Sequence, residues 1–357
     1  MKSSFLFGIC LFLGLTSLLG QGVEFNKMKW SEALASAKEE NKLIFVDAYT
    51  TWCGPCKQMD ARVFPSKKLG AYFNKNFINV KLDMEKGDGL EVKNIYEVGV
   101  FPTFLFVAGD GRLVHRKVGY LGVKELLNEA VTANDPKNNM AAQNEQFAKG
   151  EDDEGFLKKF LYTKFQARDG SHLPVLNKYL ATQEDWSTAE NMEIIYEMTE
   201  DVNSESFQYM IENKTAFSEA FGESQVSNNI QNLIFGKIQS DPDMKLERIK
   251  ELFVIAYPGD VDKRFSQYKM THYRQKGDRE AYADAAIAHY DKYASVDPGE
   301  LNEVAWTFYR VVNDKTRLKY AQKLVKKSIK IEKEHYNMDT LAAVSYTHLT
   351  LPTICSV

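Results

Sequence analysis

The chain has 357 residues, enough for two hydrophobic cores at roughly 150 residues per domain, which excludes a single small fold. Lys and Arg number 45 against 49 Asp and Glu, and the net charge of -4 gives no electrostatic basis for a nucleic-acid partner. A composition of 44% hydrophobic and 26% charged residues excludes a wholly disordered chain, and 4 cysteines are too few for a disulfide scaffold.

The amino terminus runs from Met1 and Lys2 through an apolar stretch, Phe5 to Leu19, to the small residues Gly20 and Gly22. That is the order of a secretory signal, and the stretch is shorter than the roughly 20 residues needed to span a bilayer. Residues 1–22 are therefore expected to be a signal peptide, with cleavage after Gly22 or Gly20 and Cys10 discarded with it. The mature protein is expected to be periplasmic or otherwise exported, without a membrane anchor.

From 23 to 133 the pattern alternates between strand-like runs and helical spacing. Ser31 is placed to cap a helix through Glu40. Leu43 to Ala48 (LIFVDA) and Phe77 to Leu82 (FINVKL) read as strands, with helices around both. Thr103 to Ala108, a Gly109-Asp110-Gly111 turn and Leu113 to Val118 form a hairpin, on which His115 reads as a surface residue. A helix over Val123 to Val131 closes the α/β unit, and Asn134 to Met140, with Pro136, reads as a linker.

Residues 141–343 carry helical patterns and no strand set, so an all-α domain is expected. Asp241-Pro242 and Asp297-Pro298 each read as an N-cap followed by the first helical residue. Leu301, Val304, Ala305, Phe308 and Val312 share one helix face; Leu318, Ala321, Leu324, Val325, Ser328 and Ile329 share the next, so the two helices should pair. The stretch around Trp306, with a further helix near Asp339, loosely resembles a tetratricopeptide period of about 34 residues; a generic helical array fits as well. Residues 344–357 (VSYTHLTLPTICSV) resemble an adapter read-through and are read as a non-native tail, which sets Cys355 and His348 aside.

The chemistry sits at Trp52-Cys53-Gly54-Pro55-Cys56-Lys57, after a buried strand and at the start of a helix. Unpaired N–H groups and the helix dipole favour thiolate at Cys53, the species that attacks a disulfide. Cys56, one turn further in and more buried, then resolves the mixed disulfide. Gly54 is expected to let the turn close without a side chain, and Pro55 to set φ near the helical value where no donor is needed.

This segment and the later Phe101-Pro102-Thr103 resemble the WCGPCK and X-Pro-Thr motifs of the thioredoxin family, with Gly99 and Lys117-Val118-Gly119 similarly placed. The resemblance covers 41–133 and implies a thioredoxin-like α/β fold ahead of the helical domain. It implies a cis bond before Pro102, a substrate segment pairing with the backbone of Phe101 beside Trp52 and Thr103, and in Asp47 a buried carboxylate of raised pKa that exchanges a proton with Cys56. The family's lysine near that carboxylate is represented by Asn79, with Lys81 two residues further on the same face.

An exported thiol-disulfide oxidoreductase follows, reducing protein disulfides with electrons from a membrane donor and using no cofactor beyond the Cys53–Cys56 pair. No metal is expected, because half of a zinc site would lack its other two ligands. Other readings stand beside this one: a structural disulfide, Trp52 as core packing, Lys57 as a solvated helix residue, and a redox-silent helical scaffold that binds proteins through a thioredoxin fold.

Overall fold

A computed structural model describes residues 22–346. The signal-like segment before Gly22, and the suspected tail from residue 347 on, lie outside the described residues. The described residues divide into two compact units, with the division between Glu200 and Asp201.

In the amino-terminal unit α1 (Trp30–Glu40) precedes β1 (Leu43–Tyr49); α2 (Gly54–Gln58) runs through a π-helical turn, Met59–Val63, before α3 (Lys67–Asn76) and β2 (Phe77–Asp83). Then come α4 (Asp88–Ile95), β3 (Thr103–Val107), β4 (Leu113–Val118) and α5 (Val123–Ala133). The sheet order is β2-β1-β3-β4, with β1 parallel to β2 and antiparallel to β3, and β3 antiparallel to β4. This is the thioredoxin-like α/β arrangement that the motifs imply.

Both faces of the sheet are covered, which is why β1 reads as a continuous apolar run. Side chains alternate along a strand, so Ile44, Val46 and Ala48 pack on one side with Trp30, Ala33, Val80 and Leu105. Phe45 packs on the other side with Met59, Phe73, Phe104, Phe106 and Leu126. Asp47 falls on this second side, the only charged residue of β1 and fully buried.

Several local expectations change. Helix α1 starts two residues early, with Lys29 as its N-cap, and its first turn is closed by Glu32, whose Oε2 accepts from Lys29 N at 2.9 Å, rather than by Ser31. His115 is buried: its ring lies 5.9 Å from Phe106, and Nε2 is 2.8 Å from Glu129 Oε2 of α5. The hairpin turn is as expected, with Gly111 at φ 87°, while a side chain at Gly109 would strike the backbone of Lys38 at 2.5 Å.

The helices α6 (Met140–Ala148), α7 (Glu154–Ala167), α8 (Leu173–Ala181) and α9 (Ala189–Met198) belong to the same compact unit. The unit therefore ends at Glu200, beyond the linker that the turn residues at 134–140 suggested. The reason lies in β4, against which α6 and α7 pack. Lys117 Nζ reaches both Gln166 of α7 and, at 2.9 Å, Glu129 of α5. The Arg116 guanidinium, buried and bonded to the carbonyl oxygen of Tyr96 at 2.7 Å, feels the charge of Asp169 just beyond α7.

The second unit is helical throughout its described residues: α10 (Glu205–Glu212), α11 (Lys214–Phe221), α12 (Glu223–Ser240), α13 (Leu246–Ala256), α14 (Val261–Gln275), α15 (Arg279–Lys292), α16 (Pro298–Val311), α17 (Lys315–Ile331) and α18 (His335–Tyr346). Asp297 caps α16 as expected, its Oδ1 accepting from Glu300 N at 2.9 Å. Asp241 does not cap α13, which starts only at Leu246; Asp241 and Pro242 form the turn that follows α12. The faces read from α16 and α17 do meet in one core with Tyr282 and Tyr290 of α15. Helix α18 continues past Ala343 and buries Val344 in that core, so the helical pattern does not end where the tail was placed. Among the described residues no helix is long and apolar enough to cross a membrane.

Candidate active site

Cys53 ends the loop after β1 and is the N-cap of α2, which makes its sulfur the acceptor for an orphan helix N–H: Cys56 N donates to Cys53 Sγ at 3.1 Å. The two cysteines form a disulfide, with S–S 1.97 Å and the Cα atoms 5.3 Å apart. They are 3% and 1% exposed, so in the oxidised chain the expected difference in burial is slight. Pro55 lies within the first two positions of α2, where its missing N–H is not needed. Gly54 departs from expectation. It has no positive φ, and a Cβ built there would meet nothing within 4 Å, so the turn itself does not require glycine. Lys57 is exposed.

Trp52 is 64% exposed and so is not core packing. Its ring meets Phe101 edge-on at 5.9 Å, and its Nε1 donates to Glu85 Oε1 at 2.9 Å. Glu85, just after β2, holds the indole in place and was not singled out from the sequence, because the pairing spans 33 positions. The Phe101–Pro102 peptide bond is cis. Phe101 is half-buried and Pro102 buried, so this loop presents its aromatic side chain beside Trp52. Thr103 is fully buried and its Oγ1 donates to the carbonyl oxygen of Val100 at 2.7 Å. Its side chain shapes the loop and does not reach a substrate surface.

Asp47, on β1, is fully buried and is linked through Lys81 to Asp60 of the π-helical turn that follows α2. Burial pushes the Asp47 carboxyl up to about 6 from an ordinary 3.8, and the nearby Lys81 opposes the rise without cancelling it. Lys81 sits directly opposite Asp47 in the β1–β2 ladder, while Asn79 pairs with Phe45, so the lysine position is occupied by Lys81 rather than Asn79. Lys81 Nζ is 3.0 Å from Asp47 Oδ2; apart from that contact both buried carboxylate oxygens lack a hydrogen-bond partner. The same Nζ bonds to Asp60 Oδ1, on the π-helical turn. Burial works against the Lys81 charge, yet the two carboxylates hold it above its ordinary value. Asp60 stands one turn beyond Cys56, the spacing from which it could have been noticed. The described residues contain no group of three or more His, Cys, Asp or Glu arranged to hold a metal.

Residues 30–133 match the family model described as a thioredoxin-like domain. Thioredoxin-1 of Drosophila melanogaster is 38% identical over 74 residues, 21% of this chain and 64% of that protein. The chain spans the same share, 64%, of the Drosophila yakuba relative. A thioredoxin of Mycoplasmoides gallisepticum is 31% identical over 101 residues, 28% of this chain and 90% of that protein. Among solved structures, a Bacteroides thetaiotaomicron protein assigned as a disulphide-isomerase is 42% identical, covering 32% of this chain and 96% of its own, with a TM-score of 0.30.

Proposed function

Because the chain belongs to the thioredoxin family through residues 30–133, we propose that it is an exported thiol-disulfide oxidoreductase that reduces disulfides of protein substrates. The observation that carries this reading is the pair Cys53–Cys56 at the start of α2, together with the buried carboxylate of Asp47, which burial raises to about 6. In the reduced form the Cys53 thiolate, favoured by the N–H of Cys56, attacks one sulfur of a substrate disulfide. A new S–S bond forms, and the first substrate sulfur leaves with its electron pair. Asp47 accepts the Cys56 proton; the Cys56 thiolate attacks Cys53 Sγ, closes the internal disulfide and releases the second substrate thiolate. Two electrons pass to the substrate, and a membrane electron donor restores the dithiol.

Trp52 and Phe101 supply the apolar rim over which an extended substrate segment lies, its backbone paired with that of the loop before β3. The leader-like residues 1–22 support export, and the Gly-Pro pair between the cysteines supports reduction as the direction of flow. The second unit recruits the client. Its helix pairs starting at Val261 and Pro298, with α18 following at His335, recur near the ~34-residue spacing of stacked helical repeats, an architecture that builds extended binding surfaces.

Trapping tests the assignment. Cys56→Ala in the full chain should remain covalently joined to substrates on non-reducing gels, whereas Cys53→Ala should capture almost nothing, and the wild type should reduce insulin in the presence of a chemical donor. Equal capture by the two variants, or no insulin reduction, overturns the reading.

A further inference from the structure

Lys81 has two carboxylate partners of opposite character. Asp47 is fully buried, whereas the Asp60 side chain is 49% exposed. The ammonium is held between them inside a ring of aromatic side chains, with the centroid of Tyr49 at 4.7 Å, Phe64 at 5.4 Å and Phe25 at 5.8 Å. These rings limit where the ammonium can go, so it bridges the two acids rather than pairing with either alone.

The charge count of the cluster then depends on Asp60. With all three groups charged, the cluster carries one net negative charge; with Asp47 protonated it is neutral. Without Asp60, the ionised form of Asp47 would instead be the neutral one. A low-dielectric site favours whichever state carries no net charge. We propose that Asp60 is a positioning residue that engages the Lys81 ammonium so that protonated Asp47, not ionised Asp47, is the neutral state of the buried cluster. The role deepens, and rests on, the reading of Asp47 as the proton carrier for Cys56.

The surroundings leave few other charges to act. Asp47 receives Lys81 from β2 and Asp60 from the π-helical turn, and β3 offers Phe104 opposite it. In the oxidised chain the two cysteines do not titrate. The π turn also matters: Phe64 N donates to the carbonyl oxygen of Met59 at 3.0 Å, closing the wider turn on which Asp60 is carried to Lys81.

The experiment is a carbon-13 NMR titration of aspartate carboxyls in the oxidised full chain, with Asp47 assigned by its Asp47→Asn variant. Asp60→Asn should lower the Asp47 inflection by about one pH unit, a tenfold fall in proton affinity, as loss of an adjoining like charge produces. Asp60→Glu should stay close to the wild type, and Lys81→Met should move the inflection upward. The pH profile of insulin reduction should move in the same direction as the titration. An Asp47 inflection that is unchanged or higher in Asp60→Asn overturns the proposal. A wild type inactive on insulin would remove the functional reading, while the titration would still decide the role of Asp60.

Discussion

Replacing Asp47 by Asn should stabilise the oxidised protein at neutral pH. Asp47 is fully buried, and its carboxyl is raised by that burial from 3.8 to about 6. A carboxyl with a higher pKa folded than unfolded binds its proton more tightly in the native state, so its ionised form destabilises the fold. Above pH 6 the difference of about two units corresponds to about 3 kcal/mol at 1.36 kcal/mol per unit. As pH falls through 6 toward 3.8 the native carboxyl takes up its proton first, and the penalty disappears. Asn is nearly isosteric and leaves Lys81 with Asp60 as its partner. The variant should therefore exceed the wild type by up to about 3 kcal/mol at pH 8, with the advantage shrinking to near zero by about pH 3. Guanidinium denaturation across this range checks it, with the amino-terminal unit followed by hydrogen exchange of β1 and β3 peptides. A gain that does not vary with pH would refute the linkage argument, and so would a wild type more stable than the variant at pH 8.

Truncation after Glu200 should leave a folded amino-terminal unit, whereas truncation at Asn134 should uncover β4 and take Gln166 from Lys117 and the Asp169 charge from Arg116, lowering the denaturation midpoint of the shorter fragment. Denaturation midpoints of the two fragments test this; equal midpoints would mean that α6 and α7 merely accompany the sheet. Glu85→Ala removes the acceptor for Trp52 Nε1 and frees an indole that is already 64% exposed, so insulin reduction should fall several-fold through KM, with a red-shifted, broadened Trp52 emission. A change in kcat alone would place Glu85 elsewhere in the reaction.

What the sequence determined alone rests on neighbours a few residues apart, although not every such signal held, since Asp241-Pro242 closes α12 instead of starting a helix. The CxxC spacing sets two sulfurs one helical turn apart, Asp297-Pro298 starts a helix, and the apolar run from Leu43 marks a strand covered on both faces. The tertiary structure decided the rest. Along β2, Asn79 and Lys81 lie on one face, and a register shift of two residues preserves every face, so periodicity alone does not choose which of them meets Asp47; the ladder chooses Lys81. Thr103 and His115 have polar side chains of the kind found at a surface, yet both are buried because Val100 and Glu129 supply partners that no local pattern announces. The turn residues at 134–140 do make a turn, but a turn is not a boundary between units. Helices α6 and α7 return from it to cover β4, and which surfaces a chain folds back to cover depends on packing between residues far apart in sequence.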